Sequence, residues 1–547
     1  MSRILGNSKT WWRGAALYQV YPRSFADSNG DGIGDLAGIT AHLDHIADLG
    51  VGGVWISPFF PSPMRDFGYD VSDYCDVDPM FGTLADFDML IARAHARNLR
   101  VVIDQVWSHT AMEHTWFQES RSNRENPKSD WYVWADARPD GAPPNNWLSW
   151  MGGPAWRWEP RRRQYHLHNF LPQMPDLNFH CAAVQEVILD VAKFWLQKGV
   201  DGFRLDTANL YFHSRGLENN PPSVLHAEMP VLMQLHQHNT DQPETLDFLE
   251  RLRALLDHFN AFAVGEIGGS DPMKTMVEYT AGSQHLHTAY SFAMLGERPM
   301  PETIAQHMAD WQKGDAAHAW PSWAFSNHDA VRVASRWGTG GDAGFAFGGG
   351  QQQQSQSAEV SPALWMALLI ALRGTVFIYQ GEELGLTQAE ISFEQLQDPF
   401  GQANWPLNKG RDGCRTPLPW CADETHAGFS YVLPWLPIPA DHRKLAVDAQ
   451  HAVADSTLQI TRRLLALRRK HAALRVGDFQ PLQVDECLLI ASRHVGDETL
   501  MVAFNLSPTR RVASVPRGDS LFSLAGAKLD GDSLQLPPWS CLFSSIL

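Results

Sequence analysis

For a chain of 547 residues, cysteine is scarce: Cys75, Cys181, Cys414, Cys421, Cys487 and Cys541 include no CxxC pair. Six scattered thiols are too few for a disulfide scaffold, so free cysteines are expected. Long apolar runs are missing as well. No stretch of eighteen apolar residues occurs, and the opening MSRILGNSKTWWRG has no apolar segment leading to a small-residue cleavage site. The expectation is a cytoplasmic chain that does not span a membrane. Basic excess is the third absence. Lys and Arg number 44 against 61 Asp and Glu, a net charge of -17 with no basic stripe to offset it. That balance disfavours nucleic acid and anionic membranes as partners.

What is present in quantity is tryptophan, at 21 residues. Broad apolar rings pack cores and also stack on sugar faces. The length exceeds what one ordinary core supports, so two or three domains are expected, one of them large enough for a barrel of about 250 residues. From about residue 15, short apolar runs alternate with segments of helical period. The candidate strands are ALYQVY, VGGVWIS, RVVIDQV, VDGFRLD, AFAVGE, LHTAYSF, SWAFSNHD and TVFIYQG. Between them lie helical stretches such as DLAGITAHLDHIADLG, ADFDMLIARAHARN, VQEVILDVAKFWLQKG, LDFLERLRALLDHF and PALWMALLIALRG, several ending at Gly or Asn. Eight such units predict a (β/α)8 TIM barrel over residues 1–107 and 179–474. The connection after the third strand is far too long for a βα loop and predicts an inserted lobe over residues 108–178. From residue 475 onward, CLLIASR, TLMVAFNLS, RRVASV and SCLFSSIL predict a C-terminal antiparallel β domain to residue 547. The Gly- and Gln-rich stretch 338–358 reads as a mobile loop, with a substrate lid as the alternative.

DSNGDGIGD, residues 27–35, has the look of a calcium loop. Asp27, Asn29, Asp31, the Ile33 carbonyl and Asp35 fill the first five ligand positions of an EF-hand, but the twelfth is Gly38 and a strand-like run precedes the loop. A sensor EF-hand is excluded. A structural site for Ca2+ or Mg2+ and a metal-free turn both remain open. The pairs His166/His168 and His285/His287 could ligate zinc, although imidazoles on one strand face are more often structural.

In a barrel, chemistry gathers at the C-terminal ends of the strands. There the sequence places Asp104 and His109, then Arg204 and Asp206, then Glu266, then His328 and Asp329. Carboxylates from separate strand ends suit glycosidic bond cleavage, where one meets developing positive charge and another, raised in pKa, protonates the leaving oxygen. Any one of them alone reads equally well as a helix cap or a salt-bridge partner, as Asp104 or Asp201 could be.

The ordered set QVYPRSF, DSNGDGIGDLAGI, DFGYDVSDY, DQVWSHT, PDLNF, DGFRLDTAN, VGEIGG, SNHDAVR and GRDGCRTPLPW spans nearly the whole chain and resembles the α-amylase superfamily, glycoside hydrolase family 13. Within it, the bacterial α-glucosidases and oligo-1,6-glucosidases are most similar. The resemblance implies Asp206 as nucleophile, Glu266 as general acid/base and Asp329 as the third carboxylate. It places Asp66, Tyr69, His109, Phe170, Arg204, His328 and Arg415 around a terminal glucose, with Arg415 pairing Asp66 to close a dead-end pocket and Arg332 supporting from behind. It also implies a metal loop at residues 27–35, no organic cofactor, and a small oligosaccharide as substrate.

On a strand, Arg204 projects to the same face as Asp206 and is expected to keep it ionised, whereas Glu266 needs a less cationic, drier setting. Thr207 is expected on the opposite side of the strand from Asp206, bordering the leaving-group site. There relatives that cut α-1,6 bonds commonly carry valine, so α-1,4 linkages such as that of maltose are expected here. Ser108 and Met174 depart from the Asn and Gln common in relatives. A glucosyltransferase or isomerase using sucrose or maltose is the enzymatic alternative, since a sugar hydroxyl can capture the same covalent intermediate. A non-catalytic transporter-associated relative would need a membrane span.

Overall fold

The computed structural model describes residues 9–224, 230–269, 271–338 and 360–547. All eight expected strands form, as β1 (Ala16–Val20), β2 (Gly53–Ile56), β3 (Arg100–Gln105), β4 (Gly202–Leu205), β5 (Phe262–Ile267), β6 (Thr288–Ser291), β7 (Ser322–Ala324) and β8 (Thr375–Tyr379). They pair in parallel in the order β7-β8-β1-β2-β3-β4-β5-β6. A parallel bridge from Ala289 to Pro321 brings β6 against β7 and nearly closes the ring. Nearly every strand residue is buried, because a parallel barrel covers both faces of its sheet.

Alternation along the strands sorts the side chains. Leu17, Trp55, Val102, Phe262, Val264, Tyr290 and Phe377 pack with one another inside the barrel, while Tyr18, Val54, Ile56, Val101, Ile103 and Phe203 belong to the larger core under the helices. One step further along each strand, the inward set turns polar. Asp104 pairs in register with Arg204, and Glu266 with Tyr290. Period-2 geometry thus lays a polar layer on top of the apolar plug.

The predicted helices are present, with one difference. DLAGITAHLDHIADLG forms two helices, Leu36–Ala41 and Leu43–Leu49, broken at His42. The His42 ring bonds the Gly38 carbonyl at 2.9 Å and packs on Trp420 at 3.9 Å, competing with the helical ladder one turn back. Asn260 ends Glu244–Phe259 in the left-handed region at φ 54°, as C-capping predicts. Helix Pro362–Ala371 is apolar all round and buried from Ala363 onward.

Between β3 and β4 stands a three-stranded antiparallel sheet of Trp134–Ala135, Gln164–Leu167 and Trp156–Glu159. The long segment after β4 packs on it: Asn145 Nδ2 donates to the Leu217 carbonyl at 3.0 Å and Trp147 Nε1 to that of Glu218 at 2.8 Å. Beyond residue 477 the chain forms a five-stranded antiparallel sheet with a smaller three-stranded one beside it. The Gly- and Gln-rich stretch 338–358, apart from its first residue, lies outside the described residues, and with it the loop and lid readings. No described helix is long and apolar enough to cross a membrane.

Candidate active site

The floor of the site is one guanidinium. Arg204, fully buried at the end of β4, places Nη1 2.7 Å from both Asp104 and Asp206 and Nη2 2.6 Å from Glu266. Asp104 is therefore a salt-bridge partner within the floor, and Asp201 is another at the far end of the barrel, paired with Arg100 and His95. The expectation that Arg204 serves Asp206 and leaves Glu266 in a less cationic place is corrected by this sharing. Both carboxylates touch the same cation because β4 and β5 are neighbours in register.

Three carboxylates around one cation leave negative charge in excess. Glu266 is pushed up to about 7 by burial and by the nearby Asp206 and Asp329, against the pull of Arg204. Burial raises Asp206 too, with Arg204 opposing it and Asp104 reinforcing it. Asp329 behaves differently. Burial disfavours its charge, but His328, Arg411 and Arg415 outweigh that and hold it well below the usual carboxylate range. His328 is itself pushed down to about 3 by burial, so near neutral pH the guanidiniums carry the effect.

The closed end of the pocket is where the sequence reading needs its main correction. Asp66 is paired with Arg411, at 2.5 Å, and not with Arg415. Arg415 instead donates to Asp329 at 2.8 Å and to the His328 carbonyl at 2.7 Å. The two arginines flank the single 3-10 turn Asp412–Cys414, which sends them to different carboxylates. Arg411 also reaches Asp398 and Asp329. It was legible in GRDGCR, but spacing alone does not say which arginine faces Asp66.

Asp66, Tyr69, His109, Phe170, Asp206, Thr207, Glu266 and Asp329 all line one pocket of about 280 Å3, and Arg411 joins them. Arg204, His328, Arg332 and Arg415 lie behind its wall. Tyr69 stacks on His328 with ring centres 5.1 Å apart and bonds Asp104 at 3.0 Å. Arg332 donates at 2.9 Å to the carbonyls of Gln380 and Cys414, tying the Arg415 turn to the end of β8. Much of the remaining lining is apolar, with Trp150, Met151, Leu210, Leu232 and Phe292 joining Met174. Sequence reasoning missed all of these except Met174, since they come from the lobe and from loops.

Thr207 is a second correction. β4 ends at Leu205, and Thr207 has left-handed φ 39° and ψ 51°, rare for a β-branched residue. The turn brings its side chain back to the Asp206 side, with Oγ1 3.2 Å from Asp206 Oδ2. Strand alternation does not continue past the strand.

At residues 27–35, the acidic side chains serve the loop's own backbone. Asp27 accepts from Asn29, Gly30 and Gly32, Asp31 from Ile33, and Asp35 caps a helix through Gly38 at 2.6 Å. These are the contacts of the turn reading. Among the described residues no group of three His, Cys, Asp or Glu side chains converges as a metal site. Ser430 adds a further donor to Asp27, and Ser28 donates to both oxygens of Asp35, so only Asp31 keeps spare lone pairs and a hard cation would have to displace some of these donors. His166 and His168 each sit near a backbone carbonyl, and burial pushes them down to about 3 and about 4.

Sequence comparison matches residues 19–477 to the alpha amylase catalytic domain and residues 482–543 to a domain of unknown function, DUF3459. A protein named "Probable alpha-glucosidase" from Rhizobium meliloti (strain 1021) is 48% identical over 560 residues, covering 100% of this chain and 98% of that one. An oligo-1,6-glucosidase from Heyndrickxia coagulans is 35% identical over 532 residues, covering 91% and 92%. Among solved structures, an alpha-glucosyl transfer enzyme, XgtA, is similar with a TM-score of 0.91 and 48% identity, covering 98% of this chain and 99% of that one.

Proposed function

The chain belongs to the α-amylase family of glycoside hydrolases, and from that premise we propose that it is a retaining, exo-acting α-glucosidase that releases terminal glucose from short α-glucosides. The observation that carries this reading is the pair of ion pairs at one side of the pocket, where Asp66 and Arg411 line it together with Asp329, which Arg415 holds from behind. A planar guanidinium beside a carboxylate offers paired donors and acceptors to vicinal hydroxyls.

In this reading Asp206 attacks the anomeric carbon and Glu266 protonates the leaving oxygen. Their places on two nitrogens of one guanidinium draw them together, which suits the separation of about 5–5.5 Å that retaining enzymes use. The elevated Glu266 supplies a proton near neutral pH. Asp329, held ionised, accepts from sugar hydroxyls and faces the developing positive charge. Glu266, having lost its proton, then draws one from the incoming water.

The apolar lining favours a second activity, transfer of the glucosyl group to an acceptor hydroxyl, because apolar walls can hold an acceptor and limit water. The finer claims of this proposal are an α-1,4 preference read partly at Thr207, and a Ca2+ or Mg2+ ion held by Asp27, Asn29, Asp31, the Ile33 carbonyl and Asp35, supplying loop stability and no chemistry. Incubation with maltose, isomaltose, sucrose and starch, with products resolved, tests the whole reading. Glucose released from the two disaccharides and slow attack on starch are expected. Rapid shortening of starch from within overturns exo action.

A further inference from the structure

The hydroxyls of Ser108 and Thr207 form a chain whose proton directions are forced. His109 Nε2 lies 3.0 Å from the Tyr69 carbonyl, which can only accept. Burial pushes His109 down to about 4, so near neutral pH the ring carries a single proton, and it sits on Nε2. Nδ1 is then a bare acceptor, and the Ser108 hydroxyl, 2.9 Å away, must donate to it. With its proton committed, Ser108 Oγ can only accept. Thr207 Oγ1 stands 3.2 Å from Ser108 Oγ and 3.2 Å from Asp206 Oδ2, with one proton for two acceptors. The other oxygen of Asp206, Oδ1, is held by Arg204.

We propose that Ser108 is a positioning residue that draws the Thr207 proton away from Asp206 Oδ2, freeing that oxygen to act as the attacking atom. This rests on the glycosidase reading and deepens it. In the first step a lone pair of Oδ2 forms the bond to the anomeric carbon, the bond to the leaving oxygen breaks, and the leaving oxygen keeps the pair and takes the Glu266 proton. In the second, water attacks the anomeric carbon, its proton goes to Glu266, and the carbon–Oδ2 bond returns its pair to Asp206. A hydrogen bond to Oδ2 stabilises the carboxylate before attack and is lost as the ester forms, so it slows the first step. Ser108 gives Thr207 somewhere else to donate. Ser108 does not line the pocket, so it acts through Thr207.

The test is a double-mutant cycle on kcat/KM for maltose across pH, with the parent, Ser108→Ala, Thr207→Val and the double variant. Ser108→Ala is expected to lower kcat/KM about 2–10-fold, the scale of one hydrogen bond, and to move its acidic limb to lower pH, because Thr207 then bonds the ionised Asp206. In the Thr207→Val background the same change is expected to do neither, and Ser108→Thr is expected to restore the parent values. Equal losses with and without Thr207, or an unmoved acidic limb, overturn the inference and assign Ser108 to packing around His109. Mass spectrometry of the quenched parent separates this from the function itself. A parent that forms no glucosyl adduct on Asp206 overturns the glycosidase roles, whereas an adduct with an additive cycle overturns only the role of Ser108.

Discussion

Arg204 and Arg468 are both fully buried, yet they live by opposite chemistry. Arg204 faces three carboxylates. Among the described residues Arg468 faces none: its nitrogens donate to the carbonyls of Gly14, Ile370, Leu372 and Gly374, and Arg493 from the C-terminal sheet does the same for Ala371, Gly477 and Asp478. Those carbonyls include the unpaired ones that end helix Pro362–Ala371, where cations are welcome. Burial lowers Arg468 and Arg493, whereas at Arg204 the surrounding acids overcome burial and raise it. The first region uses buried cations to set the charge of neighbours that react. The second uses them to tie the end of helix Pro362–Ala371 to helix Thr457–Lys470, which carries Arg468, and to the C-terminal sheet, which carries Arg493.

The largest expected effects break the first region alone. Asp206→Asn and Glu266→Gln should each cost at least about 10²–10⁴-fold in kcat. Each removes one charge from a crowded set of acids, so thermal stability should hold or rise. Activity within tenfold of the parent would sink these roles.

Next in size is a change that breaks the second region and spares the first. Arg468→Met should leave several buried carbonyls unpaired and cost about 2–4 kcal/mol, at about 1–3 kcal/mol for each lost partner after relaxation. The midpoint of thermal unfolding should fall while kcat on maltose stays near the parent value. A matching loss of kcat in protein that is still folded would show that the two regions are not separable.

How much of this division was legible in the residues follows from where each contact comes from. The eight strands were legible because buried parallel strands read as bounded apolar runs. Arg204 with Asp206, two apart where β4 ends, was legible because the strand's alternation holds as far as the first residue beyond it. The Asp66–Arg411 pair was not. Its partners lie 345 positions apart, and one tight turn decides between Arg411 and Arg415. Thr207 was misplaced because alternation was carried two residues past the end of β4 into a left-handed turn. The apolar part of the lining was invisible for a third reason. Trp150, Leu232 and Phe292 reach it from unrelated loops, which leave no periodic trace.

Two smaller effects sharpen the account within the first region. Thr207→Val should shift the ratio of kcat/KM for maltose over isomaltose toward isomaltose by about 1–3 kcal/mol. An unchanged ratio would place the reading of linkage elsewhere. Smallest of all is a pH effect. Glu266 must be protonated to act as acid, so kcat/KM should fall as pH rises through about 7. Tyr290 donates to Glu266 at 3.0 Å and holds its pKa down, so Tyr290→Phe should move that alkaline limb to higher pH. A shift the other way would mean that a different group sets the limb.

The central claim is that Asp206 and Glu266 act in two displacements on one terminal glucose. Its most direct test is the anomeric form of the glucose that water releases from p-nitrophenyl α-glucoside, whose leaving group is not a sugar, followed by proton NMR before mutarotation. The account predicts α-glucose. Release of β-glucose would mean a single displacement by water and would contradict it.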